Sequence, residues 1–141
     1  MRQIKFRAWH PKSGMFSPAI MGQDQLTLMP DGRGFVNVSS VDTRLSEFMT
    51  HMIPMQYTGL NDKNGVEIYE GDIVRLRFQD SPDSESFENG QIVWHDESAG
   101  FKWASGDPSD LANYWLISAD SPLREVIGNI YENPELLKEA A

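Results

Sequence analysis

Three histidines, His10, His51 and His95, and 21 acidic residues are the groups from which a metal or acid–base centre would have to be built, since the chain has no cysteine. The histidines stand at no metal-ligand spacing and have no thiolate partners. His95-Asp96-Glu97 is the densest cluster, and it would need ligands from distant segments. A histidine at the end of a strand is the simpler reading, and no metal is expected. Asp62, Asn64 and Gly65 look like part of a calcium loop. With Gly65 at its sixth position, however, the first and twelfth positions are Leu60 and Gly71, neither of which offers a side-chain oxygen. Gly59, Gly65 and Gly71 are too widely spaced for a phosphate-cradling loop, and no Gly-Lys-Ser/Thr follows them. Glu70 and Asp72 flank Gly71, where turn formation explains them better than acid–base catalysis. Catalytic triads assemble from scattered positions, so residue order excludes none, but no Gly-x-Ser-x-Gly elbow marks a nucleophile. The expectation is a protein without enzymatic activity and without a cofactor.

The aromatics carry more information. Trp94, Phe101, Trp103, Tyr114 and Trp115 fall in one sub-region and are the candidate binding residues. Strand alternation places Trp94 with Ile92 on one face, gives Phe101 and Trp103 a common face, and sends Tyr114 and Trp115 opposite ways. Core packing with edge covering accounts for most of them. The alternative is an aromatic recognition surface of the kind small β-domains present to peptides or single strands. The acids around it favour a basic or Pro-rich peptide.

These residues need strands to hold them. Asn64-Gly65 is a hairpin signal of the type I′ kind, between runs at 55–58 and 66–69. Gly71 supplies a bend or bulge before Val74, Leu76 and Phe78, which alternate with Arg75 and Arg77 as on a strand with one wet face. Asn64, Gly65 and Gly71 are therefore the structural turn residues. Residues 1–9, 26–29, 35–38, 91–95, 100–104, 114–117 and 124–131 also read as strands. The segment 41–49 has the spacing of a short helix, with a strand as its rival. Residues 80–90 are polar and contain Pro82, Asn89 and Gly90, which suggests a long loop. Asn133-Pro134-Glu135 opens a short terminal helix with a capping residue, a proline at its first position and an acid in its first turn.

Three segments resemble the YopX family, small proteins encoded by bacteriophages and prophages. The first is Ile4-Lys5-Phe6-Arg7-Ala8-Trp9. The second is Gln56-Tyr57-Thr58-Gly59-Leu60 with Asp62-Lys63-Asn64-Gly65 and Ile68-Tyr69-Glu70-Gly71-Asp72-Ile73-Val74. The third runs from Val126-Ile127-Gly128-Asn129-Ile130-Tyr131 through Glu132-Asn133-Pro134 to Glu135-Leu136-Leu137. The resemblance implies a mostly-β fold and a phage or prophage origin, and it brings no catalytic residues with it. Residues 18–46 and 79–89 lie outside it.

At 141 residues the chain is read as one domain, with a region of β-hairpins over 1–55 and a region over 56–141. The close-set strands after Tyr69 suggest a small SH3-like β-barrel in that second region. No apolar run approaches the roughly 20 residues a membrane span requires. The first ten residues alternate charged and apolar groups, so a cytoplasmic protein of the bacterial host cell is expected.

The net charge of −9 argues against broad binding to a phosphate backbone. The leading functional reading is a non-enzymatic binding module for a host or phage protein. Two alternatives stay open. One is a nucleic-acid-associated protein using the basic N-terminal strand (Arg2, Lys5, Arg7, Lys12) and exposed aromatics. The other is an acidic nucleic-acid mimic built on Asp80, Asp83, Glu85, Glu88, Asp96 and Glu97. Self-association through exposed strand edges is a further expectation.

Overall fold

The structure, a computed structural model, describes residues 3–10, 15–16, 26–28, 35–37, 48–49, 53–105, 114–116 and 124–138. Two compact units divide between Tyr57 and Thr58. Both are built of antiparallel strands.

In the first unit β1 (Phe6–His10) lies between β2 (Met15–Phe16) and the first half of β6 (Ile53–Asn61), with Arg7 opposite Met55 and Trp9 opposite both Ile53 and Phe16. Ala8, Trp9, Met55 and Tyr57 are buried. The Lys5 ammonium sits 5.5 Å from the centre of the Tyr57 ring, a cation–π distance. Lys5 and Arg7 are half-buried, so the basic strand does not present the open outer face that its charges suggest. A second sheet orders β3 (Leu26–Leu28), β4 (Phe35–Asn37) and β5 (Phe48–Met49), in which Leu28 pairs with Phe35. Of the 41–49 segment, Phe48–Met49 are a strand paired with β4, and the remainder lies outside the described residues.

The second unit contains β7 (Glu67–Tyr69), β8 (Asp72–Ser81), β9 (Ser84–His95), β10 (Gly100–Ser105), β11 (Tyr114–Leu116) and β12 (Arg124–Asn129). Its main sheet runs β11-β10-β9-β8-β12. Ile68, Val74, Ile92 and Trp103 form the core, with Leu60, Leu76, Phe101 and Val126 packed against them. Among the described residues the sheet is open, because its end strands β11 and β12 do not pair, and the closed SH3-like barrel is not formed. The outer edge of β12 is occupied instead by Asp62 and Lys63, which follow β6. Lys63 N–H donates to the Arg124 carbonyl at 3.0 Å, and Val126 N–H donates to Asp62 Oδ2 at 3.0 Å. An edge capped by a loop has no need of a partner strand.

Two further expectations are corrected. Residues 80–90 are not a loop: Ser81 pairs with Ser84 across a two-residue turn at Pro82-Asp83, and β8 and β9 continue as a long hairpin. Their polar composition reflects exposure at the hairpin's tip, where paired backbones supply the order that a core does not. The terminal helix is one 3-10 turn, Pro134–Leu137. Asn133 makes no side-chain cap, and its Oδ1 accepts from Asn129 N–H at 3.4 Å. Gly128 follows a bulge in β12, and a Cβ there would press on the Asn133 side chain. No helix among the described residues is long and apolar enough to cross a membrane.

Candidate binding surfaces at the two ends of β9

The predicted aromatic set divides. Trp103 is 1% exposed, and its indole N–H donates to the Val74 carbonyl at 2.8 Å. The indole reaches β8 by crossing β9 at Gly90, where any Cβ would overlap the ring. Trp103 is thus a core residue that fastens β10 to β8. Gly90, which reads in the sequence as a loop former, is required here because it carries no side chain. Trp94 is 44% exposed and pairs in register with Phe101. Their rings meet edge-on, with centroids 5.2 Å apart and planes at 76°. Ile92 pairs with Trp103 two residues further along. One apolar row therefore runs from the core to the turn end of the β9–β10 hairpin, as alternation predicts. Tyr114 and Trp115 lie on β11 opposite Ala104 and Trp103, and their side chains are outside the described residues.

The hairpin that carries Trp94 turns at residues 96–99. Ala99 adopts a positive φ of 50°, and its N–H donates to the Asp96 carbonyl at 3.1 Å. His95 Nδ1 lies 2.8 Å from Ser98 Oγ and accepts from Ser98 N–H at 3.3 Å. These bonds give His95 a turn-closing role. Asp96 and Glu97 are exposed beside Trp94.

At the other end of β9 the structure assembles a group that sequence reading does not single out. Arg75 and Arg77 stand two residues apart on β8, opposite Asn89 and Phe87. All four residues share the sheet face away from Val74 and Ile92. Lys63 joins them, and Lys63, Arg75, Arg77 and Phe87 line an open cavity of about 130 Å³. Phe87 is 59% exposed. Arg75 is held in place, since its Nε–H donates to Asn89 Oδ1 at 3.1 Å. Buried Asn89 in turn donates to the Leu136 carbonyl of the terminal 3-10 turn at 3.0 Å. Two carboxylates border the cations: Glu85 lies 3.7 Å from Arg77 Nη1, and Glu125 lies 3.4 Å from Lys63 Nζ. The buried Nε of Arg77 meets no acceptor among the described residues.

The 62–65 turn sets where Lys63 stands. Asp62, buried, accepts from Asn64 N–H at 2.8 Å and Val66 N–H at 2.9 Å through Oδ1, and from Val126 N–H through Oδ2. Burial works to raise the Asp62 pKa, but the three backbone donors and the Lys63 charge outweigh it and hold the carboxyl below its ordinary range. The type I′ expectation is corrected here. Gly65 has φ of +82°, whereas Asn64 keeps a negative φ because Asp62 closes the turn from its other side. Gly71, with φ of +87°, makes the corner between β7 and β8, and its N–H donates to the Ile92 carbonyl at 2.9 Å. Beside it Asp72, buried, accepts from Tyr69 N–H at 2.8 Å. The hydrogen bond that the Asp72 carboxylate accepts serves the corner, in keeping with the turn reading of Glu70 and Asp72.

A mostly-β protein built of antiparallel sheets is the class this geometry describes. The sequence profile of the YopX protein family matches residues 5–138, nearly the whole chain, and the protein belongs to that family. No curated protein matches the sequence. Among solved structures, that of protein EF1440 from Enterococcus faecalis is similar at 28% identity and a TM-score of 0.59, covering 97% of this chain and 99% of that one.

Proposed function

We propose that this protein is a phage or prophage accessory factor of the bacterial cytoplasm. In this reading it acts as a non-enzymatic module that binds a basic peptide segment of a host or phage protein at the Trp94 end of β9. The observation that carries the proposal is the Trp94–Phe101 pair. An indole is kept 44% exposed on a paired strand and fixed edge-on by its neighbour, while a second tryptophan, Trp103, fills the core. A rigid, half-desolvated indole is the kind of residue that dominates binding energy at protein interfaces. Asp96 and Glu97 beside it supply charge complementarity to a basic segment.

The test immobilises the wild-type protein and its Trp94→Ala variant and compares what each retains from host lysate, with and without nuclease. Support would be a discrete basic protein that the wild type retains despite nuclease and the variant loses. Binding of that purified partner should weaken by about 2 kcal/mol in the variant, the size of an interface hot spot. Equal retention by the two forms, or retention that nuclease abolishes, would overturn the reading.

A further inference from the structure

The cationic cleft at the opposite end of β9 is independent of the Trp94 surface and has its own chemistry. We propose that Lys63, Arg75, Arg77 and Phe87 form a site for a nucleotide, with the phosphate held by the three cations and the base laid on the Phe87 ring. In an acidic chain of net charge −9, three cations converge on one small cavity. A phosphate monoester carries up to two negative charges and three terminal oxygens, which suits two planar guanidinium forks and a mobile ammonium better than a single carboxylate does. Arg75 is already oriented through Asn89 and the Leu136 carbonyl, so less side-chain freedom is lost when a ligand binds. Arg77 retains an Nε–H donor that no described acceptor meets.

The flanking acids do not close the site. Glu85 and Glu125 make partly exposed surface pairs with Arg77 and Lys63, and such pairs exchange readily for a better-charged partner. Phe87 adds what a bare phosphate site would lack, a flat apolar ring 59% exposed at the cavity wall, on which a nucleobase can stack. Arg77 pairs in register with Phe87, so phosphate and base contacts come from facing residues of one hairpin. The ligand chemistry is therefore a nucleotide unit, either free or within a single strand. The net charge of −9 penalises a strand, which brings many phosphates to a site able to neutralise one.

The test follows the backbone amide NMR spectrum of the full chain during titration with adenosine 5′-monophosphate, adenosine, inorganic phosphate, a hexadeoxyadenylate and a hexaglutamate peptide. The spectrum itself reports whether each variant is folded. The monophosphate should shift the amides of Arg75, Arg77 and Phe87 at millimolar concentration or below, and adenosine should not. Arg77→Gln should weaken the monophosphate by about tenfold or more, with the milder Arg77→Lys falling between. Phe87→Leu should weaken it about tenfold while leaving inorganic phosphate unchanged. A hexadeoxyadenylate that binds more tightly than the monophosphate identifies the source as a strand; equal or weaker binding identifies a free nucleotide. Trp94→Ala should leave monophosphate binding intact, which keeps this site separable from the peptide surface. The proposal fails if the monophosphate leaves these amides unmoved, if Arg77→Gln binds it as tightly as wild type, or if hexaglutamate binds in its place.

Discussion

The two ends of β9 each expose one large aromatic residue, and they differ in everything around it. Trp94 lies on the core side of the sheet, at the end of a row that begins with Ile92 and Trp103, and it leans on another aromatic. Phe87 lies on the opposite side, with arginines across from it and no aromatic contact among the described residues. An exposed ring is thus not one kind of feature. Beside another ring and two acids it suits a basic peptide, and among cations it suits an anion carrying its own flat ring. The two stand seven positions apart along the strand, an odd number, so the pleat alone puts them on opposite faces.

That contrast can be broken most severely at the fastening both ends share. Trp103→Ala should destabilise the second unit by about 3–5 kcal/mol through the cavity it leaves. The variant also removes the indole donor to the Val74 carbonyl, so urea denaturation should show the loss and binding at both ends should fail together. A smaller and one-sided effect is expected from Asp62→Asn, which replaces a carboxylate that three backbone N–H groups donate to. A loss of about 1–3 kcal/mol should follow. Nucleotide binding should suffer through Lys63, while the Trp94 end stays intact.

The pH dependence has a defined sign. The folded pKa of Asp62 lies below its ordinary value, so its contribution is fully present above that value and is lost as pH falls through the folded pKa. The Asp62→Asn variant should lack that acid-side component, which a comparison of denaturation midpoints from neutral pH downward would reveal. Trp94→Ala should cost about 0.5–1.5 kcal/mol, the worth of an aromatic pair, and should leave the cationic cleft unaffected. Glu85→Gln should be the mildest, changing stability by no more than about 0.5 kcal/mol. It should tighten adenosine monophosphate modestly by freeing Arg77, and an equal or weaker affinity would show that Glu85 does not compete with the ligand.

Much of this was legible residue by residue. The alternation of Val74, Leu76 and Phe78 with Arg75 and Arg77 marks a two-faced strand, and the pairing of Ile92 with Trp94 and of Phe101 with Trp103 follows from the same period. The turn at 62–65 and the corner at Gly71 show in their glycines. What stayed hidden was the company these residues keep. The 80–90 segment reads as a loop because its strand is polar on both faces near the tip, and once it is taken for a loop Phe87 has no reason to stand opposite Arg77. Gly90 reads as a breaker because nothing local reveals that an indole from β10 will pass over it. Asp62 looks like an ordinary turn residue, since the β12 amide it binds lies 64 positions away.

The sequence alone determined the mostly-β character, the turn at 62–65 and the corner at Gly71, and the side of its own strand on which Trp94, Phe101 and Trp103 fall. These depend on neighbours one to four residues apart, where φ preferences and the two-residue pleat act without reference to the rest of the chain. Tertiary structure decided which tryptophan is buried, that the sheet stays open with a loop along its edge, and that Lys63, Arg75, Arg77 and Phe87 meet. Those outcomes rest on strand register and on long-range hydrogen bonds. A slip of one residue in register would exchange every face while leaving the local pattern of the sequence unchanged.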